Sequence, residues 1–369
     1  MNLAFDLTAA PERLTGAGHY MVELVAALDR RQSIDLDVMV RPPHLDLIGR
    51  RAPRARVHQA GAGPRPVRLL WEQTGLPLRL RRLRPDVLHC PHYTVPMAAR
   101  TPMVVTFHDA TFFTHPELHQ RAKVAFFRTA MRLAARRARR IVAVSRATAD
   151  ALAGHGVVDP DRVDVVHEGV DHSRFHKPSD DEVADFRTSH GIKGPYLAFL
   201  GTLEPRKNLT RLVRAYDRMA LDWPGQLLIA GRHGWGIDDL DQTIQNSRHG
   251  AVRRLGYLPD DERSAFLGGA TAVCYPSLAE GFGLPVLEAM ACGAAVVTAG
   301  TSATAEVAGN AAELVDPLDV GSIEWGLRRA ILDPERASEL RSAGPLRAAT
   351  FTWESAAVAM EGVYHMAMT

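Results

Sequence analysis

Residues 270–293 constrain the fold more tightly than any other stretch. An apolar run from Ala270 to Cys274 reads as a buried parallel strand. Tyr275-Pro276 closes it, because proline cannot donate to a ladder. A polar loop follows with Gly281 and Gly283, residues that let backbone N–H groups come close to a ligand. Pro285 suits the first turn of a helix, Val286, Leu287 and Met290 give that helix an apolar face, and Gly293 ends it. Strand, polar loop and helix N-terminus form the repeating unit of a parallel α/β sheet, and the loop is where a phosphate group sits. Two carboxylates, Glu280 and Glu288, bracket the loop at positions the apolar pattern does not use.

The same rhythm runs through both halves of the chain, without an internal sequence repeat. Residues 2–7 read as a strand, and Thr15-Gly16-Ala17-Gly18-His19-Tyr20 as a glycine-rich turn before a helix over 20–30. That turn lacks the third glycine of the dinucleotide fingerprint. Asp35-Leu36-Asp37 has the form of a metal-binding Asp-x-Asp. However, Ile34, Leu36, Val38 and Val40 alternate with polar residues, so the aspartates are expected to be the polar positions of a strand. Residues 42–73 carry Pro, Gly and Arg without sustained periodicity, and part of that stretch is expected to be a mobile loop or an irregular excursion. Strands are expected at 87–89 and 103–107. Each ends in polar groups at the sheet edge where ligands bind: His89, His92 and Tyr93 after the first, His108-Asp109 after the second. A long helix over 116–139 places Arg128, Arg132, Arg136 and Arg139 on one face. A strand over 141–144 leads into a helix capped by Ser145, and another strand spans 163–166.

Lys177-Pro178-Ser179-Asp180-Asp181 reads as a linker into a helix. Residues 196–200 open a second series of strands. The turn Gly201-Thr202-Leu203-Glu204-Pro205-Arg206-Lys207-Asn208 precedes a helix running to about 221, with Asn208 as its expected N-cap. A basic pair beside a helix N-terminus is unfavourable unless an anion sits there, because the helix dipole already supplies positive potential. Strands at 226–230, 252–255 and 295–298 and helices at 260–267 and 353–366 complete the pattern, with Trp353, Ala357, Met360 and Tyr364 as the inner face of the last helix.

Composition bounds the rest. The chain has 369 residues and 46% hydrophobic residues, which suits two ordinary globular domains. Cys90, Cys274 and Cys292 have no metal or redox spacing and fit a reducing compartment. No stretch is long and apolar enough to span a bilayer, and the first residues do not form a signal peptide. The protein is therefore expected in the cytoplasm, with peripheral contact at the inner face of the membrane left open. Arginines concentrate at 41–84 (eleven, against Asp46 and Glu72) and in the 118–140 segment. A solvated face is the preferred reading, a patch for anionic membrane the second, and nucleic acid is excluded for want of a recognised module.

The stretch Glu-Gly-Phe-Gly-Leu-Pro-Val-Leu-Glu-Ala-Met-Ala-Cys-Gly resembles the donor-binding segment of retaining glycosyltransferases of family 4, as do residues 201–208, His108-Asp109 and 16–20. The resemblance implies the GT-B fold: two Rossmann-like α/β domains with parallel sheets facing across a cleft. An acceptor-binding domain would span 1–175, a nucleotide-sugar-binding domain 176–350, and a helix in 351–369 would cross back to the first. It implies transfer of a hexose from a nucleoside-diphosphate sugar to a hydroxyl of a glycan, lipid-linked or small-molecule acceptor, with retention of configuration. Lys207 would meet the diphosphate, and Arg206 would substitute for an arginine that relatives carry where this chain has Thr202. His108 and Glu280 would contact the donor sugar, and Glu288 the ribose. Gly16, Gly18, Gly231, Phe282, Gly283 and Leu284 would line the nucleotide. The basic diphosphate site makes a metal unnecessary, and no other cofactor is expected. The leaving phosphate can accept the acceptor's proton, so no general base is needed. The form Gly-Thr-Leu-Glu-Pro-Arg-Lys-Asn favours GDP-mannose over UDP- or dTDP-linked sugars of a natural-product pathway. The contrasting expectation is a catalytically silent shell that acts through its basic face.

Overall fold

In the computed structural model the described residues are all but 62 and 248. They form two compact units, Met1–Gly169 with Thr352–Thr369, and Val170–Phe351.

The first unit is built on a seven-stranded parallel sheet in the order β3-β2-β1-β4-β5-β6-β7. Its strands are β1 (Asn2–Asp6), β2 (Asp35–Val40), β3 (Arg56–Gln59), β4 (Val87–Cys90), β5 (Met103–Phe107), β6 (Arg140–Ala143) and β7 (Val163–Val165). The helices are α1 (Gly16–Asp29), α2 (Leu45–Arg51), α3 (Arg65–Leu83), α4 (Thr111–Thr114), α5 (Arg121–Arg137) and α6 (Arg146–Gly154). Ser145 caps α6 by accepting from the Thr148 N–H.

The second unit carries α7 (Asp180–Ser189), whose start is fixed by a reciprocal capping box between Ser179 and Glu182. Its six-stranded parallel sheet has the order β10-β9-β8-β11-β12-β13. The strands are β8 (Tyr196–Leu200), β9 (Gln226–Ala230), β10 (Ala251–Gly256), β11 (Ala272–Tyr275), β12 (Val296–Ala299) and β13 (Glu313–Val315). The helices are α8 (Leu209–Met219), α9 (Asp238–Gln245), α10 (Arg263–Gly268), α11 (Leu284–Ala291), α12 (Ser302–Ala308), α13 (Val320–Leu332) and α14 (Pro334–Ala348). The last helix, α15 (Trp353–Met368), belongs to the first unit. It buries Trp353, Ala357, Met360 and Tyr364 there, the face its spacing predicts.

Strand order reverses between β1 and β4 in one sheet and between β8 and β11 in the other. The loops leaving those strands diverge, and an open parallel sheet has its ligand crevice at such a point.

Several sequence expectations need correction. Most of residues 42–73 lies in regular elements that the sequence did not show: a 3₁₀ turn at Pro42–His44, α2, β3 and the start of α3. The helix expected over 116–139 is a 3₁₀ turn at Pro116–Leu118 followed by α5. The glycine-rich segment is not a loop before α1. Thr15 is its N-cap, and Gly16 and Gly18 lie in its first turn. Asn208 is the N-cap residue of α8 but gives no side-chain cap; it sits at φ 60° while its Nδ2 donates to the carbonyls of Pro276 and Pro317. Asp37 is not a solvent-facing strand position. Apart from Asp35, β2 is buried throughout, and the Asp37 carboxylate accepts from Arg56 Nε (2.9 Å) and Nη2 (2.8 Å) on β3 and pairs with His58 Nε2 at 2.6 Å.

Candidate functional site

In the second unit the loops leaving β8 and β11 flank the strand-order reversal, and their charged groups meet. Pro205–Lys207 forms one 3₁₀ turn after β8. Lys207 Nζ donates to Glu280 Oε1 at 2.6 Å, and Arg206 Nη1 donates to Glu280 Oε2 and to the Ala279 carbonyl. Arg206 also donates from Nη2 and Nε to Glu204 Oε1, at 2.6 and 3.1 Å. The Lys207 ammonium lies 4.9 Å from the centre of the buried Tyr275 ring. Burial pushes the Glu280 carboxyl up, but Arg206 and then Lys207 outweigh it and hold it at about 2. Burial pulls Lys207 down, Arg206 adds to this, and Glu280 opposes both. The sequence-based charge argument is thus modified: the basic pair already has a counter-ion from the same unit. Each carboxylate oxygen of Glu280 carries two lone pairs, so a sugar hydroxyl can still donate to it.

The remaining predicted residues of this unit divide by what the backbone needs. Gly283 is the N-cap residue of α11 at φ 114°, where an added Cβ would lie 3.2 Å from Thr304 Cγ2. Gly231 sits at φ 141°, and its Cβ would lie 1.8 Å from the Gly201 carbonyl oxygen, so this glycine is required to bring the two turns together. Phe282 is buried edge-on to Phe351 at 5.9 Å, which places its ring in the core. Leu284 opens α11, and Glu288 lies in its second turn.

In the first unit His108 follows β5, with 9% of its side chain exposed. Nε2 donates to the Pro91 carbonyl at 2.8 Å, and Nδ1 lies 3.5 Å from Glu168 Oε1. The Tyr20 ring meets it edge-on at 4.7 Å. Gly16 has open space where a Cβ would be, whereas a Cβ on Gly18 would approach Leu14 Cδ2 to 3.0 Å. His89, expected among the polar groups at the sheet edge, is instead fully buried: it bridges Tyr364 Oη and Thr106 Oγ1 at 2.8 Å each, and burial holds it neutral, at about 3. Tyr93 donates to Asp109 Oδ2 at 2.9 Å.

Three features were not legible from the sequence. Glu204 stands inside the 201–208 turn and Glu168 just past the strand expected at 163–166, but only the fold shows what they face. The third is a polar cluster at the β1–β4 reversal. Arg68 donates to Glu72 Oε2 at 2.6 Å and to Thr94 Oγ1 at 3.1 Å, and Thr94 donates to the same Glu72 oxygen. Asp6 beside it accepts from the N–H and hydroxyl of Thr8. Burial raises both Asp6 and Glu72, against the opposing pull of Arg68. Among the described residues, no group of three or more His, Cys, Asp or Glu is placed to hold a metal ion, and no helix is long and apolar enough to cross a membrane.

Residues 14–174 match the family described as Glycosyltransferase Family 4, and residues 181–347 match Glycosyl transferases group 1. This chain belongs to that glycosyltransferase family. It is 29% identical to the O-antigen chain mannosyltransferase B of Escherichia coli over 374 residues, covering 96% of this chain and 97% of the relative. It is 30% identical to a D-inositol 3-phosphate glycosyltransferase of Rhodococcus opacus over 62% of this chain and 53% of the relative. The fold matches that of Anabaena HepE in complex with UDP-glucose at a TM-score of 0.76 and 19% identity, covering 98% and 99% of the two chains. It matches sucrose-phosphate synthase of Thermosynechococcus elongatus at 0.79 and 20%, covering 99% and 98%. The two parallel-sheet units are therefore the Rossmann-like domains of a GT-B glycosyltransferase, and the enzyme uses a nucleoside-diphosphate sugar.

Proposed function

We propose that the enzyme transfers mannose from GDP-mannose to a hydroxyl of a glycan, lipid-linked or small-molecule acceptor, with retention and without a metal. The observation that carries the donor half is the Arg206–Lys207–Glu280 cluster at the β8–β11 reversal. Glu280 holds Lys207 and Arg206 there, and Glu204 holds Arg206 as well, which fixes two cationic groups beside the loops where an open sheet takes its ligand. In this reading Lys207 and Arg206 meet the diphosphate as negative charge grows on it, and the N–H groups near Gly283 add to them. Glu280 accepts from the sugar hydroxyls and Glu288 from the ribose. His108 and the open space at Gly16 serve the donor from the first unit, which otherwise binds the acceptor. The departing diphosphate takes the acceptor's proton.

The mannosyltransferase name of the full-length relative supports mannose, and the UDP-glucose of the Anabaena structure supports the alternative of a UDP-sugar. Calorimetric titration with GDP, UDP, dTDP and ADP separates them, followed by turnover of the matching sugar nucleotides. GDP is expected to bind at least tenfold more tightly than the others, a difference of about 1.4 kcal/mol. Tighter binding of UDP would replace GDP-mannose with a UDP-sugar.

A further inference from the structure

The imidazole of His108 faces an acceptor on each side. The Pro91 carbonyl, 2.8 Å from Nε2, can only accept, so Nε2 carries a hydrogen. On the other side Nδ1 lies 3.5 Å from Glu168 Oε1, and the two side chains are only 9% and 5% exposed. A ring protonated at Nε2 alone would turn the Nδ1 lone pair towards the carboxylate. An N–H on Nδ1 would point at the carboxylate, so Glu168 is the group placed to hold that edge of the ring.

The other groups around the ring do not compete. His89 and His92 are each held at about 3, by burial first and by the charge of His108 second, so both are neutral near pH 7. The Tyr20 hydroxyl pairs with Thr106 Oγ1 at 3.1 Å. Asp109 is taken up by Tyr93 and by the N–H and hydroxyl of Thr111.

Glu168 is itself held in place. A Cβ on the adjacent Gly169 would lie 2.3 Å from the Trp353 nitrogen and 2.6 Å from the Thr352 carbonyl carbon. Its segment therefore presses directly on the start of α15. Trp353 in turn meets the Tyr20 ring at 5.9 Å, and Tyr20 meets His108.

We propose that Glu168 is the positioning residue of His108: it holds the ring by its Nδ1 edge while Pro91 holds Nε2, so that the imidazole is fixed in place before the donor arrives. The inference rests on the reading of His108 as a donor-side group. Nε2–H is committed to Pro91 and the Nδ1 edge faces Glu168, so both edges of the ring are held and its orientation is fixed. Orientation matters most where the reacting groups must align for transfer, so the effect belongs in kcat.

The test compares Glu168→Gln, Glu168→Asp, His108→Ala and the double variant Glu168→Gln/His108→Ala. Imidazole ¹⁵N spectra of the ligand-free protein, with the His108 signals assigned by their loss in His108→Ala, report how the ring is held without any reaction. The His108 signals should shift in Glu168→Gln, the Nδ1 signal most. In kinetics, Glu168→Gln should lose roughly tenfold or more in kcat with less than a twofold change in the donor KM. Glu168→Asp should recover part of that loss, and the double variant should be no slower than His108→Ala. If His108→Ala is slow while Glu168→Gln keeps wild-type kcat and ¹⁵N shifts, the positioning role is wrong and the donor-side reading stands. If His108→Ala itself turns over normally, the donor-side reading falls.

Discussion

Replacing Glu280 with glutamine removes one charge and almost no volume, and the structure says what that charge holds. The carboxyl is held at about 2 against its usual 4.5 although burial pushes it the other way. A depression of that size corresponds to about 3 kcal/mol of net favourable interaction with the ionised form. Because the folded-state value is lowered, this stability is fully present above pH 4.5 and is lost as pH falls towards 2. Leaving one member of a buried ion pair behind costs about 3–5 kcal/mol, which agrees. Lys207 is only 8% exposed and, among the described residues, no other carboxylate is in hydrogen-bond contact with it, whereas Arg206 keeps Glu204. For a unit of this size about 3 kcal/mol is roughly 6–12 °C in Tm.

Glu280→Gln should therefore melt about 6–12 °C lower by calorimetry at pH 7.5. A nucleoside diphosphate then supplies the missing counter-charge. It should raise the Tm of the variant by more than that of the wild type and bind at least as tightly, while transfer from the full donor collapses. A variant that melts within about 2 °C of wild type at neutral pH would refute the electrostatic argument. A folded variant that no longer binds the bare nucleotide would mean that Glu280 holds the nucleoside rather than the basic pair and the sugar.

Transfer should persist in excess chelator, and a complete loss with EDTA that magnesium reverses would overturn the metal-free reading. The first unit should weaken in acid, because His89 and His92 stay neutral in the fold and take up protons once unfolded. Their contribution is present above about pH 6.5 and is lost towards pH 3; at pH 5 each should cost about 2 kcal/mol, read from urea unfolding at pH 7 and pH 5. The basic face of α5 should behave as an ordinary surface. Arg128 donates to the Phe112 carbonyl, and Arg128 and Arg132 lie over the Phe113 ring, so part of that charge is spent on packing. Retention on anionic liposomes that salt releases, and that charge reversal at Arg128, Arg132 and Arg136 abolishes, would refute this.

The stretch around 270–293 was legible because each local signal agreed with the others: a run of small apolar residues, a proline at its end, glycine at φ 114° and another at the helix terminus. Residues 42–73 were illegible for the opposite reason. Strand β3 lies at the sheet edge and is only half-buried, with charged residues that pair across to Asp37, so it carries no apolar alternation. Helix α3 begins with proline and arginine and buries Arg68 and Glu72 against each other, which breaks the apolar stripe that marks a helix. Strand β2 misled by being buried on both faces, so that Asp37 looked like an outward position and is an inward one with partners.

The site residues raise a different issue, since their identities were readable and their partners were not. Lys207 and Arg206 find Glu280 across more than seventy residues of chain, and His108 finds Glu168 across sixty. No periodicity connects such pairs; they meet because parallel strands return every loop to the same edge of the sheet. In both units a polar side chain proposed for the donor has a carboxylate against it from another loop. That arrangement fixes each side chain before a ligand arrives, so little reorganisation is left for the moment when charge moves. It also means that neither glutamate can be assigned from the ligand side alone. Glu280 touches the proposed sugar position and the diphosphate cations together, and a substitution there changes both. The measurement that separates the two roles is affinity for the bare nucleotide set against turnover of the full donor in the same Glu280→Gln protein, because only the second requires the sugar.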